Sequence, residues 1–140
     1  MINLHRKERI MYLFTYGTFK TGECRNHILK GRWQLFSERD SPLFKTKNLY
    51  SLYDIGKRFP AIINDPDIKV EGEVYEVDEE LVVKTLDRIE GCPHLYERHL
   101  IEVCGVDELC ITYIMKKETF KNLELNGTNM RKLTTGNWKG

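Results

Sequence analysis

Of the 21 acidic residues in this 140-residue chain, Glu90 is placed where a carboxylate is least comfortable. It closes a segment, Glu79 to Glu90, whose apolar residues recur at helical spacing. Val83, Leu86 and Glu90 are spaced i, i+3, i+7 and share a face, and Val82 and Leu86 also belong to the inward stripe. Glu90 therefore points toward the core or into a cleft bordering it. The end of a helix is also where the backbone dipole opposes a negative charge. Both effects disfavour ionisation, so the pKa of Glu90 is expected to rise. A carboxyl titrating near neutral pH can take a proton and return it, which is general acid–base chemistry. The same residue is also readable as a solvated or ion-paired group, with Arg98 or Lys84 as partner.

A second group of residues could bind an anion. Tyr16-Gly17-Thr18 follows an apolar run, and a turn there leaves backbone N–H groups free. Gly17 permits a close approach or a positive φ, and Gly22 extends the loop. A plain structural turn would have the same sequence. The glycine spacing is not that of a P-loop, and no G-x-S-x-G elbow is present. The four cysteines, Cys24, Cys92, Cys104 and Cys110, form no C-x-x-C pair. Cys92, His94 and His99 match no standard zinc spacing, so no metal is expected and the thiols read as reduced. Tyr53, Tyr75, Tyr96 and Tyr113 fall in predicted strands, where packing is the default and a hydroxyl in the cleft the exception.

These residues need a scaffold. Met11 to Tyr16 reads as a strand running into the glycine turn, and Glu23 to Leu29 as a helical turn or two ended by Gly31. Arg32 to Glu38 alternates as a strand, Asn48 to Ile55 is another, and Pro60 to Ile63 is short and extended. Asn64-Asp65-Pro66-Asp67 carries strong turn signals. Ile68 to Val77 reads as a strand. Asp78 is a good N-cap for a helix over Glu79 to Glu90, with Glu79 and Glu80 at the favourable end of its dipole. Gly91 and Pro93 stop it. Tyr96 to Val103 and Cys110 to Met115 complete the strands, and the tail from Lys116 is polar, with a turn at Asn126-Gly127-Thr128. Many strands and one clear helix argue for an α+β domain on a mixed sheet or small barrel.

The totals narrow the class. The length suits one domain with one core, and the apolar share of 41% is ordinary for a globular chain. The net charge of +1 and the lack of a long basic block give no sign of a nucleic-acid partner. No apolar stretch reads as a leader or a membrane span, so a cytoplasmic protein is expected. Met1 to Ile10 reads as an N-terminal extension outside a single domain over residues 11–140. A monomer or weak homodimer is expected.

Several segments together resemble a known family. Tyr16-Gly17-Thr18-Phe19-Lys20-x-Gly22 is similar to the Y-G-[ST]-L-x-x-G signature of the gamma-glutamylcyclotransferase-like proteins, with Phe19 in place of the usual leucine. Leu86-Asp87-x-x-Glu90-Gly91-Cys92-Pro93-x-Leu95-Tyr96-x-Arg98 resembles the segment carrying that family's catalytic glutamate, most closely in its gamma-glutamylamine cyclotransferase branch. Phe59-Pro60-Ala61, Gly72-Glu73-Val74-Tyr75 and Gly136-Asn137-Trp138 fit further landmarks in order. The resemblance implies a small mixed β-barrel flanked by a few helices. It also implies release of 5-oxoproline from a gamma-glutamyl amine or peptide, without cofactor, by attack of the substrate's own α-amine. It implies Glu90 as general acid and base, and Tyr16, Gly17, Thr18, Phe19 and Tyr96 as substrate-binding residues. The rival reading is a non-catalytic binding or regulatory protein on the same fold.

Overall fold

The computed structural model describes residues 9–140, so the expected extension lies outside the described residues except for Arg9 and Ile10. Eight strands form the sheet: β1 (Ile10–Thr15), β2 (Phe44–Lys45), β3 (Tyr50–Ile55), β4 (Phe59–Ile68), β5 (Glu71–Asp78), β6 (Tyr96–Ile101), β7 (Cys110–Met115) and β8 (Met130–Leu133). Their order is β2-β5-β1-β7-β4-β3-β8, with β6 also paired to β7. Most neighbours are antiparallel, but β7 runs parallel to β1 and to β4, so the sheet is mixed. The result is the α+β, barrel-like architecture expected from the sequence. Among the described residues no helix is long and apolar enough to cross a membrane.

Strand alternation sends side chains to opposite faces, and here both faces are covered. Leu13, Ile55, Ala61, Tyr75, Val77, Ile111 and Tyr113 pack on one side beneath Leu29, Val82 and Leu86. Phe14, Leu52, Ile62, Val74, Cys110 and Ile114 pack on the other with Phe44, Val70, Val103 and Trp138. All six residues of β7 are buried, as a strand with neighbours on both faces requires.

Three expectations are corrected by tertiary pairing. Arg32 to Glu38 is not a strand: it touches β5 through one bridge, Gln34 to Tyr75, and then leaves the sheet at a turn closed by Ser37 N–H on Ser41 O. Trp33 and Phe36 are consequently exposed. Asn64 to Asp67 does not end a strand. It is pushed out of β4 as an exposed bulge, because the register with β3 jumps from Ser51–Ile63 to Tyr50–Ile68. Ile68 therefore closes β4, and β5 starts only at Glu71. The polar tail holds a second helix, Lys117–Leu125, as well as β8, and it ends with Trp138 buried. The Asn126-Gly127 turn joins that helix to β8.

Candidate active site

Glu90 is delivered by the first helix, residues 79–89. The Asp78 carboxylate caps it by accepting the Leu81 N–H at 3.3 Å. Residues Val82–Leu86 form one π-helical turn, in which the Asp87 N–H reaches back to Val82 O. Such turns are rare and recur at functional sites. Val82 and Leu86 are fully buried, whereas Val83 is 52% exposed, so Val82 and Leu86, not Val83, anchor the inward stripe. Gly91 ends the helix at φ 65, where a Cβ would also meet Leu95 Cδ1 at 2.9 Å. The last turn is pinned to the sheet: the Tyr113 hydroxyl donates to Asp87 Oδ1 at 2.6 Å, and Arg98 lies 3.5 Å from Asp87 Oδ2.

That pinning decides Glu90's surroundings. Arg98 pairs with Asp87, and Lys84 pairs with Glu80, so both partners envisaged for Glu90 are engaged elsewhere. Among the described residues no protein donor lies within hydrogen-bond reach of its carboxylate. Burial pushes its pKa from 4.5 up to about 7, against the opposing pull of the Arg25 guanidinium.

Glu90 lines a cavity of about 400 Å³. Tyr16, Gly17, Thr18, Phe19 and Tyr96 line it too, so every predicted site residue borders one space. Gly17 is required by close approach: a Cβ there would stand 2.5 Å from Pro60 Cγ. The loop's carbonyls are engaged, Gly17 O by the Lys20 N–H, Thr18 O by the Arg25 N–H, and Phe19 O by the Asn26 side chain. Among the described residues, the N–H groups of Gly17, Thr18 and Phe19 have no protein acceptor, which leaves them for a ligand.

The tyrosine hydroxyls are structural as well as cavity-lining. Tyr16 donates to Tyr113 O at 2.6 Å and accepts the Ile62 N–H at 3.1 Å. Tyr96 donates to Pro60 O at 3.0 Å. Burial raises the pKa of Tyr16, Tyr96 and Tyr113, so all three stay neutral. The loop is braced from behind by Glu73, whose Oε1 accepts from the Thr21 N–H, the Thr21 hydroxyl and the Tyr75 hydroxyl. Buried Lys20 donates to Trp138 O at 2.5 Å and to Asn137 Oδ1 at 3.2 Å, tying the loop to the C-terminal segment.

Among the lining residues that sequence reasoning missed are the two cationic ones, Arg25 and Arg58. Arg58 sits in the Gly56-Lys57-Arg58 turn before Phe59-Pro60-Ala61, a segment already notable as a landmark. Arg25 lies in the short turn after the glycine loop and carries no local signal.

A family model described as gamma-glutamyl cyclotransferase, AIG2-like, matches residues 13–140. The chain belongs to this family. The gamma-glutamylaminecyclotransferase of Bos taurus is 34% identical over 102 residues, which span 68% of this chain and 57% of that protein. The human gamma-glutamylaminecyclotransferase is 33% identical over 98 residues, 65% of this chain and 60% of its own length. The matched region thus spans little more than half of these curated relatives. Among solved structures, an AIG2-like protein from Mus musculus superposes with a TM-score of 0.66 at 23% identity, covering 80% of this chain and 83% of its own. A protein specific to uropathogenic E. coli reaches 0.69 at 18% identity and 93% of both chains. At those identities the likeness establishes that this AIG2-like chain shares their fold.

Proposed function

We propose that this chain is a gamma-glutamylcyclotransferase-type enzyme that releases 5-oxoproline from a gamma-glutamyl amine or peptide, with Glu90 as general acid and base. The observation that carries this reading is the Glu90 carboxyl, held without a protein donor at the wall of the cavity and titrating at about 7. The substrate's α-nitrogen attacks its own γ-carbonyl and closes a five-membered lactam, and the bond from that carbonyl to the leaving nitrogen breaks. Two protons leave the α-ammonium and two arrive on the departing amine, so no water is consumed. One carboxyl with a pKa near the working pH can carry both transfers.

The nucleophile is already tethered, so folding the substrate correctly supplies most of the acceleration; oriented intramolecular reactions reach effective molarities of ~10⁵ M or more. The free N–H groups of Gly17, Thr18 and Phe19 are suited to bind the substrate's α-carboxylate or the developing oxyanion. Tyr16 and Tyr96 shape the wall and exclude water, with Phe19 adding apolar surface. The test is 5-oxoproline release from gamma-glutamyl-ε-lysine, gamma-glutamyl dipeptides and glutathione by the wild type and Glu90→Gln. The variant is expected to lose roughly 10²- to 10⁴-fold in turnover while staying folded. Full activity in Glu90→Gln would remove Glu90 from the mechanism, and ligand binding without turnover of any substrate would favour a binding protein.

A further inference from the structure

The Asp87 carboxylate is the junction of a three-residue cluster beside the cavity. Its Oδ1 accepts from the Tyr113 hydroxyl at 2.6 Å, and its Oδ2 lies 3.5 Å from the Arg98 guanidinium. Arg98 stands opposite Tyr113 in the β6–β7 pairing, and Tyr96 lies two residues away on the same strand. Strand alternation therefore puts Arg98, Tyr96 and Tyr113 on one face of the sheet. Tyr96 and Tyr113 line the cavity with Glu90, so Arg98 rises beside the same space. On the first helix Asp87 and Glu90 are three residues apart, neighbours at roughly 5–6 Å between Cβ atoms. The charges of Arg98 and Glu90 are both felt at the Tyr113 hydroxyl. A long side chain that reaches Asp87 is thus one helical turn from Glu90, and the structure gives it to Asp87.

The other titratable groups on the cavity wall are Tyr16 after β1, Cys24 and Arg25 after the glycine loop, Arg58 before β4, Tyr96 on β6 and Tyr113 on β7. The tyrosines stay neutral, and Arg25 supplies a charge that already acts on Glu90. On the helix itself Arg88 is exposed. A second guanidinium at contact distance would hold Glu90 ionised and draw it out of its role as a proton carrier. Building on the cyclotransferase reading, we infer that Asp87 is a positioning residue that captures Arg98 and keeps its charge off Glu90, leaving that carboxyl free to take and return a proton. Asp87 itself transfers no proton. Its partner Tyr113 fixes the carboxylate in place, and its negative charge, not its bulk, is what the site uses.

The experiment titrates the Glu90 carboxyl directly, by carbon NMR of the labelled side chain, in the wild type, Asp87→Asn, Arg98→Met and the double variant. Asparagine keeps an oxygen for the Tyr113 hydroxyl and loses only the charge that holds Arg98. Asp87→Asn should lower the Glu90 midpoint by about 1 pH unit or more, as a nearby arginine does to a carboxylate. Arg98→Met leaves Asp87 charged without its partner and should raise the midpoint. The double variant should return close to the wild type. The acid limb of kcat should follow the same three directions. A midpoint unmoved by Asp87→Asn, or lowered as much in the double variant as in Asp87→Asn alone, overturns the proposal. So does a loss of activity in Asp87→Asn with the acid limb in place, which would make Asp87 a brace only. If Asp87→Asn does not fold, Arg98→Met decides: a raised midpoint supports the proposal and an unmoved one overturns it. The midpoints are read without substrate. If no gamma-glutamyl compound releases 5-oxoproline, the reaction reading fails by itself, and the titrations still decide whether Asp87 holds Arg98 away from Glu90.

Discussion

Glu73 accepts from the Thr21 N–H at 2.8 Å, the Thr21 hydroxyl at 3.1 Å and the Tyr75 hydroxyl at 2.9 Å, whereas Glu90, across the same loop, receives no protein donor among the described residues. Glu73 is the more buried of the two, only 5% exposed. Depth therefore does not decide which carboxyl has its pKa raised; the supply of donors does. Three donors make up for the water that Glu73 has lost, and in return its charge fastens the loop to β5. Glu90 loses water without such replacement, so its neutral form gains ground and its proton becomes available near pH 7.

The largest expected effects are at Glu90. Beyond its activity loss, Glu90→Gln should change the pH dependence of stability. The folded pKa of about 7 exceeds the unfolded value near 4.5, so the folded state binds the proton more tightly. The associated stability is fully present below pH 4.5 and is lost as pH rises through 7. The loss amounts to about 3 kcal/mol, an order-of-magnitude figure from the size of the shift. Urea melts at pH 5 and pH 8 should therefore show the variant gaining on the wild type at pH 8. Equal pH slopes for the two proteins would mean that Glu90 is not desolvated.

Glu73→Ala should behave in the opposite way. It removes the acceptor for the Thr21 N–H and the Tyr75 hydroxyl and should cost about 2 kcal/mol, since buried donors are left unmatched. Activity should fall through a displaced loop, in both kcat and KM, with the acid limb of the pH profile unmoved. A shifted limb would show that Glu73 shares the proton chemistry and would collapse the contrast. The smallest effect is at Arg25. Its charge holds the pKa of Glu90 down, so Arg25→Gln should move the acid limb of kcat to higher pH. A shift to lower pH would contradict the assigned sign.

The local parts of this site were readable from sequence. The Asp78 cap and the Gly91 stop bound the first helix, and the stripe ending at Glu90 turned it inward. The strand into Tyr16-Gly17 likewise follows from apolar residues meeting a glycine. What local pattern does not carry is distance. Of the three donors on Glu73, the Tyr75 hydroxyl lies two residues along the same strand, but Thr21 faces Glu73 only because β1 and β5 pair from Thr15–Glu73 to Ile10–Asp78. Arg25 and Arg58 both line the cavity, although they lie far apart in the chain and share no periodicity. The π-helical turn rotated Val83 outward, against ordinary 3.6-residue arithmetic. The helix Lys117–Leu125 has no buried residue, so its composition does not distinguish it from loop. The strand β8 is held by β3 and not by its own sequence, MRKL.

Tyr16 lies where the sheet is thinnest. Strands β4 and β7 are joined by a single residue pair, Ile62 with Ile114. In a parallel ladder the Ile62 amide would reach the carbonyl of Tyr113; here the Tyr16 hydroxyl stands between them, accepting from one and donating to the other. The phenol acts as a rivet through the seam between two halves of the sheet, and the head of the rivet belongs to the loop that borders the cavity. Any withdrawal of that loop must unfasten the seam, and any parting of β4 from β7 must pull on the loop. The loop at the cavity and the seam of the scaffold are thus tied to each other through one oxygen atom.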